Sequence, residues 1–391
     1  MKMIKFKASD VLPSVVQLAQ LCNNKNIIRM FDYLRFETEN GMNITGSDGE
    51  TWMSLNVPLF TPTDEKLAFC IDSQKLTLGL RSLGDAIVEL ELNDESHIAT
   101  FKYNNGQFEL PYLDASEYPM SSDVPNGKLV SLQINSKDLF SGINTTEFAV
   151  DNDELRPQMC GIHVDFIADE QGKKELVFVA TDTRKLVRFK ENIMFDDCAI
   201  GCGFTIPKKP SSVISNYLSM SNLTDGDGMA MNVEFDDSKF TISNHVMKMS
   251  TRLANGRYPN YDAVLPEYPN DKVVVIARDA FISALRRVSA FGNQKTQMVV
   301  LTFENNIVEI SASDVDYSTR AKETFPCEYN GEMVQIGFTC SAFVDVIKNV
   351  KSENVRIKLI SGQRAAMVLP DEQVENTDYV SIQMPMMIHE L

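Results

Sequence analysis

The four histidines, His97, His163, His245 and His389, have the widest chemical range of any residues in this chain, and no two stand at a metal-ligand spacing. There is no HExxH zinc helix, no glycine-rich loop ending in Gly-Lys-Ser/Thr, and no Gly-x-Ser-x-Gly nucleophile turn. Seven cysteines are scattered along the chain; only Cys198 and Cys202 are close, as C-x3-C on an expected strand, with no second pair to complete a zinc site. Gly201-Cys202-Gly203 begins like a dinucleotide loop, but no third glycine follows before Pro207, so it reads as strand backbone. In TDGDG, Asp225 and Asp227 start a calcium-like alternation that breaks at Met229, and a polar turn accounts for them. Asp314 and Asp316 have the spacing of paired carboxylates. Asp314 recurs, however, as Asp48 and Asp182 in similar small-hydroxyl-acid steps, and turn capping explains that repetition better than acid–base work. Arg286 and Arg287 diverge by about 100° around a helix, which suits phosphate or solvent rather than a catalytic clamp. No convergent reactive set emerges, and catalysis is not expected.

The recurrence of those aspartates leads to the elements that carry them. Steps at Gly46-Ser47-Asp48, Ala180-Thr181-Asp182 and Ala312-Ser313-Asp314 are 134 and 132 residues apart. Each follows a strand-then-helix pattern: IKFKASDVLPSVVQLAQLC, LVSLQINSKDLFSGINTTEF and VVVIARDAFISALRRVSAF. A second strand–helix step lies inside each unit, at FCIDSQKLTLGLRSL, GFTIPKKPSSVISNYLS and IGFTCSAFVDVIKNV. Helix starts near Asp10, Ser73, Asp138, Lys208, Asp279 and Ser341 are then 63, 65, 70, 71 and 62 residues apart. The chain therefore reads as three α+β domains, 1–125, 126–268 and 269–391, each a pseudo-two-fold duplication of a strand–helix–strands unit.

Period-two alternation predicts strands with Val130, Leu132 and Ile134, with Val273, Val275 and Ala277, and with Ile336 and Phe338 on one face. Hairpin turns are expected at Glu39-Asn40-Gly41, Tyr103-Asn104-Asn105-Gly106 and Glu304-Asn305-Asn306. Asp10, Asp138 and Asp279 are placed to cap helices, with Pro13 in a first turn. So many antiparallel strands leave edges to protect; sheets continued from domain to domain, in a row that curves and closes on a second copy, would remove them.

The chain of 391 residues carries 54 acidic and 37 basic side chains, a net charge of −17, which argues against an all-basic nucleic-acid-binding surface. The six expected helices behave differently. They hold ten basic residues, from Lys75 to Lys351, and only four acidic ones, for a local charge of +6. If they share a face, that face attracts phosphate without reading bases; ordinary solvated helices are the other account. The segments ATDTRKLVRF and NGRYPNYDAVLPEYP suit linker packing, and the apolar end YVSIQMPMMIHEL suits either a core or a peptide-docking groove. No run approaches 18 apolar residues and the start lacks a signal pattern, so a cytoplasmic protein with reduced cysteines and no membrane span is expected.

From Met1 to about Ile388 these features together resemble the bacterial DNA polymerase III beta subunit family, the replicative sliding clamps. The resemblance rests on ATDTRKL, NGRYPNYDAVLP, IGFTCSAFVDVIKNVKSENVRIKL and YVSIQMPM, in that order, on the triplicated unit. It implies a closed ring formed by a head-to-tail homodimer, with helices facing a central duplex. It implies a non-enzymatic processivity factor that encircles double-stranded DNA without sequence preference, is cytoplasmic and is associated with the nucleoid during replication. The replicative polymerase, clamp loader and repair proteins would dock through short hydrophobic peptides; any ATP belongs to the loader, and no cofactor is implied. A scaffold of clamp fold that binds peptides without encircling DNA is the alternative. By the same resemblance Thr181, Arg184, Leu186, Pro259, Val264, Met384, Pro385 and Met386 form the peptide groove, and Lys25, Lys75, Arg156, Lys208 and Lys209 face DNA. Arg184 and Lys185 stand where many relatives place histidine and arginine, and Ala263 where some carry arginine. Met387 to Leu391 extend past the usual family end and could line, narrow or cover the groove.

Overall fold

Strands run straight into helices six times along the chain in the computed structural model. The strands Lys2–Lys7, Ala68–Asp72, Val130–Asn135, Gly203–Pro207, Val273–Ala277 and Val334–Thr339 lead directly into α1 (Ala8–Ala19), α2 (Ser73–Arg81), α3 (Ser136–Thr146), α4 (Lys208–Met220), α5 (Arg278–Ser289) and α6 (Cys340–Lys348). The structure describes residues 2–22, 27–38, 41–63, 66–121, 124–168, 170–220, 223, 225–265, 267–269 and 272–388. The fold is α+β, mostly antiparallel strand, as the repeat implies. Among the described residues no helix is long and apolar enough to cross a membrane.

The chain forms two compact units. One comprises 1–140, 195–199 and 209–254 and contains a twelve-stranded sheet, with α1, α2 and all but the first residue of α4. Its helices are anchored by apolar faces: Val11, Val15 and Leu18 of α1, and Leu76 and Leu80 of α2, are buried. Polar contacts also join α1 to α4, where Gln17 Nε2 donates to the Val213 carbonyl at 2.9 Å and Asn216 Nδ2 donates to Gln20 Oε1 at 3.1 Å.

The other unit comprises 141–194, 200–208 and 255–391 and contains an eight-stranded and a four-stranded sheet, with α5 and α6. In the eight-stranded sheet the order runs from Gly203–Pro207 through Gly161–Ala168, Lys174–Thr181 and Lys185–Asn192 to Thr377–Gln383, Ala366–Pro370, Asn354–Lys358 and Val273–Ala277. Phe338 of the four-stranded sheet stacks on Phe343 of α6 with centroids 4.2 Å apart.

The repeated aspartates are turn residues, as their recurrence suggests. Asp48 Oδ1 accepts from the amides of Glu50 and Thr51, Asp182 Oδ1 from Arg184 and Lys185, and Asp314 Oδ1 from Asp316 and Tyr317. The Asn104 and Asn305-Asn306 hairpins form with positive φ at all three asparagines; Glu39 and Asn40 lie outside the described residues.

Four local expectations are corrected. Asp10 and Asp279 do not cap: α1 and α5 start too early, and the carboxylates sit in the first turn, where the helix dipole still favours them. Asp72 is the cap of α2, accepting from the Lys75 amide at 2.9 Å, and Asn135 accepts from the Lys137 amide as α3 begins. The early start of α1 also puts Pro13 inside the helix, where its missing N–H deprives the Ser9 carbonyl of its usual donor. In Val273–Ala277 the buried residues are Val274 and Ile276 rather than Val273, Val275 and Ala277, because an uninterrupted apolar run carries no alternation to choose a face. Finally, Cys198 sits in a 3-10 turn and Cys202 just before a strand, so the pair does not share one.

Candidate functional site

The turn between Lys174–Thr181 and Lys185–Asn192 begins the site. Thr181 Oγ1 donates to the Lys185 carbonyl at 2.7 Å and accepts from the Thr183 amide, while Lys185 Nζ lies 2.6 Å from Asp182 Oδ2. Thr183 takes φ 71°, and this tight loop leaves Arg184 exposed at its tip. The last strand pairs alongside, Leu186 opposite Ile382, and the Met384 amide donates to the Arg184 carbonyl at 2.7 Å. Across from this edge runs the loop 258–264. Between them is a cavity of about 570 Å³, walled by Thr181 and Leu186, by Ile382 and Met384, and by Tyr258, Pro259, Tyr261 and Val264. Beneath it Val177, Val179, Leu186, Tyr258 and Ile382 form a buried cluster. The arrangement is a preformed apolar groove with a polar rim, suited to binding side chains rather than to transforming a substrate.

A proline-containing loop cannot hold a groove open unless it is fixed, and three attachments fix this one. His163 stacks on Tyr258 with centroids 4.3 Å apart and planes 3° from parallel. His163 Nε2 is 3.1 Å from Asp165 Oδ1, its Nδ1 is 2.9 Å from Thr205 Oγ1, and the Tyr261 hydroxyl donates to Asp165 Oδ2 at 2.8 Å. Arg188 bridges Asp262 and Asp378 at 2.9 and 2.8 Å. Gly203 makes room for the carboxylate, since a Cβ there would stand 2.0 Å from Asp165 Oδ1. Burial pushes the Asp165 carboxyl up, but the hydrogen bonds from His163 and Tyr261 more than offset this and hold it below the usual range. Burial and the Asp165 charge raise both tyrosine hydroxyls, so they remain protonated donors.

The lowered carboxyl fixes the direction of the pH dependence. The attachment is fully present above about pH 4, the ordinary carboxyl range, and is lost as pH falls through the lower folded value. Asp165→Asn turns an acceptor into a donor facing another donor and removes charge-assisted bonds worth about 1.5–3 kcal/mol. Amide exchange across 258–265 in this variant is expected to quicken about tenfold or more, with a lower thermal transition. Exchange unchanged from wild type would show that the loop is held without this carboxylate.

The resemblance-based groove residues are distributed as follows. Thr181, Arg184, Leu186, Pro259, Val264 and Met384 border the cavity. Pro385 and Met386 do not: the chain turns away after Met384, the Met386 amide donates to the Gly337 carbonyl at 2.7 Å, and Thr339 Oγ1 donates to Met386 Sδ at 3.1 Å. Ile388 also packs at Gly337, so the described tail follows the strand Val334–Thr339 instead of covering the groove; residues 389–391 lie outside the described residues. His163, Asp165 and Arg188 brace the groove's loop, a role that sequence reasoning missed. The i, i+2 spacing of His163 and Asp165 on one strand face was their only local signal.

The DNA-facing candidates fall in both units. Lys75 is exposed on α2, and Lys209 Nζ lies 2.7 Å from Asp48 Oδ2 and 3.2 Å from the Leu21 carbonyl. In the other unit, Lys208 Nζ donates to Asn152 Oδ1 at 2.7 Å, while Arg156 pairs with Asp153 at 2.9 Å and Asp151 at 3.4 Å. Lys25 lies outside the described residues. Arg287 likewise pairs with Glu323 and Arg278 with Asp279, so carboxylates on and off the helices offset part of their basic excess.

Comparison with known proteins follows the same lines. The DNA polymerase III beta subunit central-domain model matches residues 133–260, and the C-terminal-domain model of the same subunit matches 262–387. The chain is 26% identical over 355 residues to the beta sliding clamp of Proteus mirabilis, covering 89% of each, and 25% identical over 347 residues to that of Escherichia coli strain K12, covering 88% of each. Its fold resembles the sliding clamp (DNA polymerase III subunit beta) of Pseudomonas aeruginosa bound to griselimycin, with TM-score 0.88, 21% identity and 99% coverage of both chains. The DNA polymerase III beta subunit of Thermotoga maritima superposes with TM-score 0.86 at 18% identity, covering 99% of this chain and 100% of that one.

Proposed function

Since the chain belongs to the bacterial DNA polymerase III beta subunit family, we propose that it is a sliding clamp that encircles duplex DNA and tethers the replicative polymerase and other DNA-processing proteins. It is a non-catalytic processivity factor. The observation that carries the reading is the apolar groove, built by the ATDTRKL turn, the NGRYPNYDAVLP loop and the last strand in a chain that matches the family along most of its length. The groove receives partner peptides, bordered by Thr181, Arg184, Leu186, Pro259, Val264 and Met384. Griselimycin, found with the Pseudomonas relative, is accordingly expected to bind here.

Encirclement requires a second copy, and each unit offers a sheet edge for it. Gly106–Asp114 pairs with Ala68–Asp72 only at Tyr112, Leu113 and Asp114, which leaves residues 106–111 open on that side. Thr319–Pro326 is the end strand of the four-stranded sheet. An exposed apolar side chain flanks each edge. Leu78 is 69% exposed on α2, which packs on Phe108 through Gly79, and Phe291 is 52% exposed where its carbonyl accepts from Thr319 Oγ1. Two different edges per chain suit a head-to-tail contact, which closes into a ring when the rotation permits. Three domains near 1–125, 126–268 and 269–391 in each copy then make six around the duplex. Helix cations, Lys75, Lys208 and Lys209 among them, supply weak phosphate contacts that permit sliding. Arg156 contributes less than its charge suggests, because Asp151 and Asp153 already hold it. The working location is the cytoplasm, at the nucleoid during replication.

Loading onto nicked circular plasmid by a clamp loader with ATP tests the reading. The protein is expected to co-elute with the circle at moderate salt and to be released when the plasmid is linearised. Retention that ignores linearisation would replace encirclement with simple binding, and peptide binding without any retention would favour a scaffold.

A further inference from the structure

The groove's apolar walls carry an unusual rim. None of the residues bordering it is acidic, although the chain has 54 aspartates and glutamates and a net charge of −17. Three are cationic: Arg184, Lys185 and Arg364. Lys185 is neutralised by Asp182, and the other nearby carboxylates are engaged away from the two arginines. Asp182 holds Lys185 and caps its own turn, Asp262 is taken by Arg188, and Asp165 by His163 and Tyr261. Among the described residues, Arg184 and Arg364 have no ion-pair partner, and both are exposed. Backbone bonds fix where the two residues stand: the Arg184 carbonyl accepts from the Met384 amide, and the Arg364 amide donates to the Ser361 carbonyl. Two unpaired guanidinium groups thus stand at the mouth of an apolar cavity, in a protein whose overall field repels anions.

Building on the groove reading above, we propose that this site selects peptides that carry carboxylates beside their apolar anchors, with Arg184 and Arg364 as the specificity-determining residues. A guanidinium fork matches a carboxylate with two parallel hydrogen bonds and is less strongly hydrated than an ammonium, so it gives up water more readily on docking. The apolar walls give affinity to any peptide with suitable anchors. The rim discriminates among such peptides, and because its charges are solvent-exposed, that discrimination weakens with salt. The acidic remainder of the chain sharpens the effect, since it disfavours an acidic peptide everywhere except at this mouth.

The test uses the full-length protein and two synthetic, fluorescein-labelled nonapeptides with the same leucine and phenylalanine anchors, one flanked by two glutamates and the other by two glutamines. Fluorescence polarisation at 50 mM NaCl is expected to give the glutamate peptide about a tenfold lower Kd, an advantage that shrinks to about threefold at 300 mM, in line with exposed ion pairs. In the Arg184→Gln, Arg364→Gln double variant the two Kd values are expected to converge, with dimer mass confirming that the fold is retained. Equal affinity of both peptides for the wild-type protein would overturn the proposal and leave the groove reading standing, as would a preference that survives in the double variant. Failure of both peptides to bind the wild-type protein would overturn the groove reading and this inference with it.

Discussion

An aspartate in place of Phe291, or of Leu78, is expected to convert the dimer to a monomer and abolish retention on circular DNA. Each side chain is exposed in the isolated chain, at 52% and 69%, so substitution should leave the folded protomer intact. In the ring each would be buried beside a paired strand edge, where a large apolar side chain contributes about 1.5–3 kcal/mol. The replacement also leaves a desolvated carboxylate without a partner, a further cost of several kcal/mol. A closed ring of two copies would have two equivalent interfaces, so one substitution would act twice. A weakening of the dimer by at least about a thousandfold follows at 1.4 kcal/mol per factor of ten. Light scattering should then report 43.9 kDa in place of twice that mass. Circular dichroism should show the protomer still folded, with a thermal transition lowered only by the loss of its partner, and a variant that still ran as a dimer would show that these edges are not the ones that meet.

The second large effect is expected in the groove. Met384→Asp and Val264→Asp each put a carboxylate on an apolar wall, at positions 47% and 50% exposed that the fold can tolerate. Loss of one anchoring contact, about 2 kcal/mol, together with an unpaired charge under a bound ligand, should raise the Kd for griselimycin by about thirtyfold or more in calorimetry. The discriminating control is Met386→Ala. The sequence pattern groups Met386 with Met384, but its amide and sulfur are engaged at Gly337 and Thr339, so its removal should change griselimycin affinity less than about twofold. Equal losses from Met384→Asp and Met386→Ala would mean that the last residues rearrange on binding.

The contrast between Met384 and Met386 shows where reading the sequence stopped being enough. Periodicity could say that YVSIQMPMMI had to be buried or docked; it could not say which methionine faces which neighbour, because a turn after Met384 changes the face. Val273–Ala277 fails for a related reason. Its length and type were legible, yet an all-apolar strand has no polar side to set its orientation. Lys209 was legible as a cation but not as one already paired, since Asp48 is 161 residues from Lys209 in the chain. The carboxylate that braces the groove was equally hidden: Tyr261 and Asp165 are 96 residues apart, and Arg188 and Asp378 are 190 apart.

What the sequence by itself determined is everything that depends on short range and repetition. Six strand–helix steps, three recurring aspartate turns and the α+β class all follow from local hydrogen-bonding capacity and apolar period, which act within a few residues. Tertiary structure alone decided which charges remain available and which apolar surface stays open. Those outcomes depend on side chains meeting across a hundred or more positions, and on the cost of leaving a buried carboxylate without a partner. That is why the sequence could count an excess of helix cations, whereas only the fold could leave Arg184 and Arg364 unpaired at the mouth of the groove.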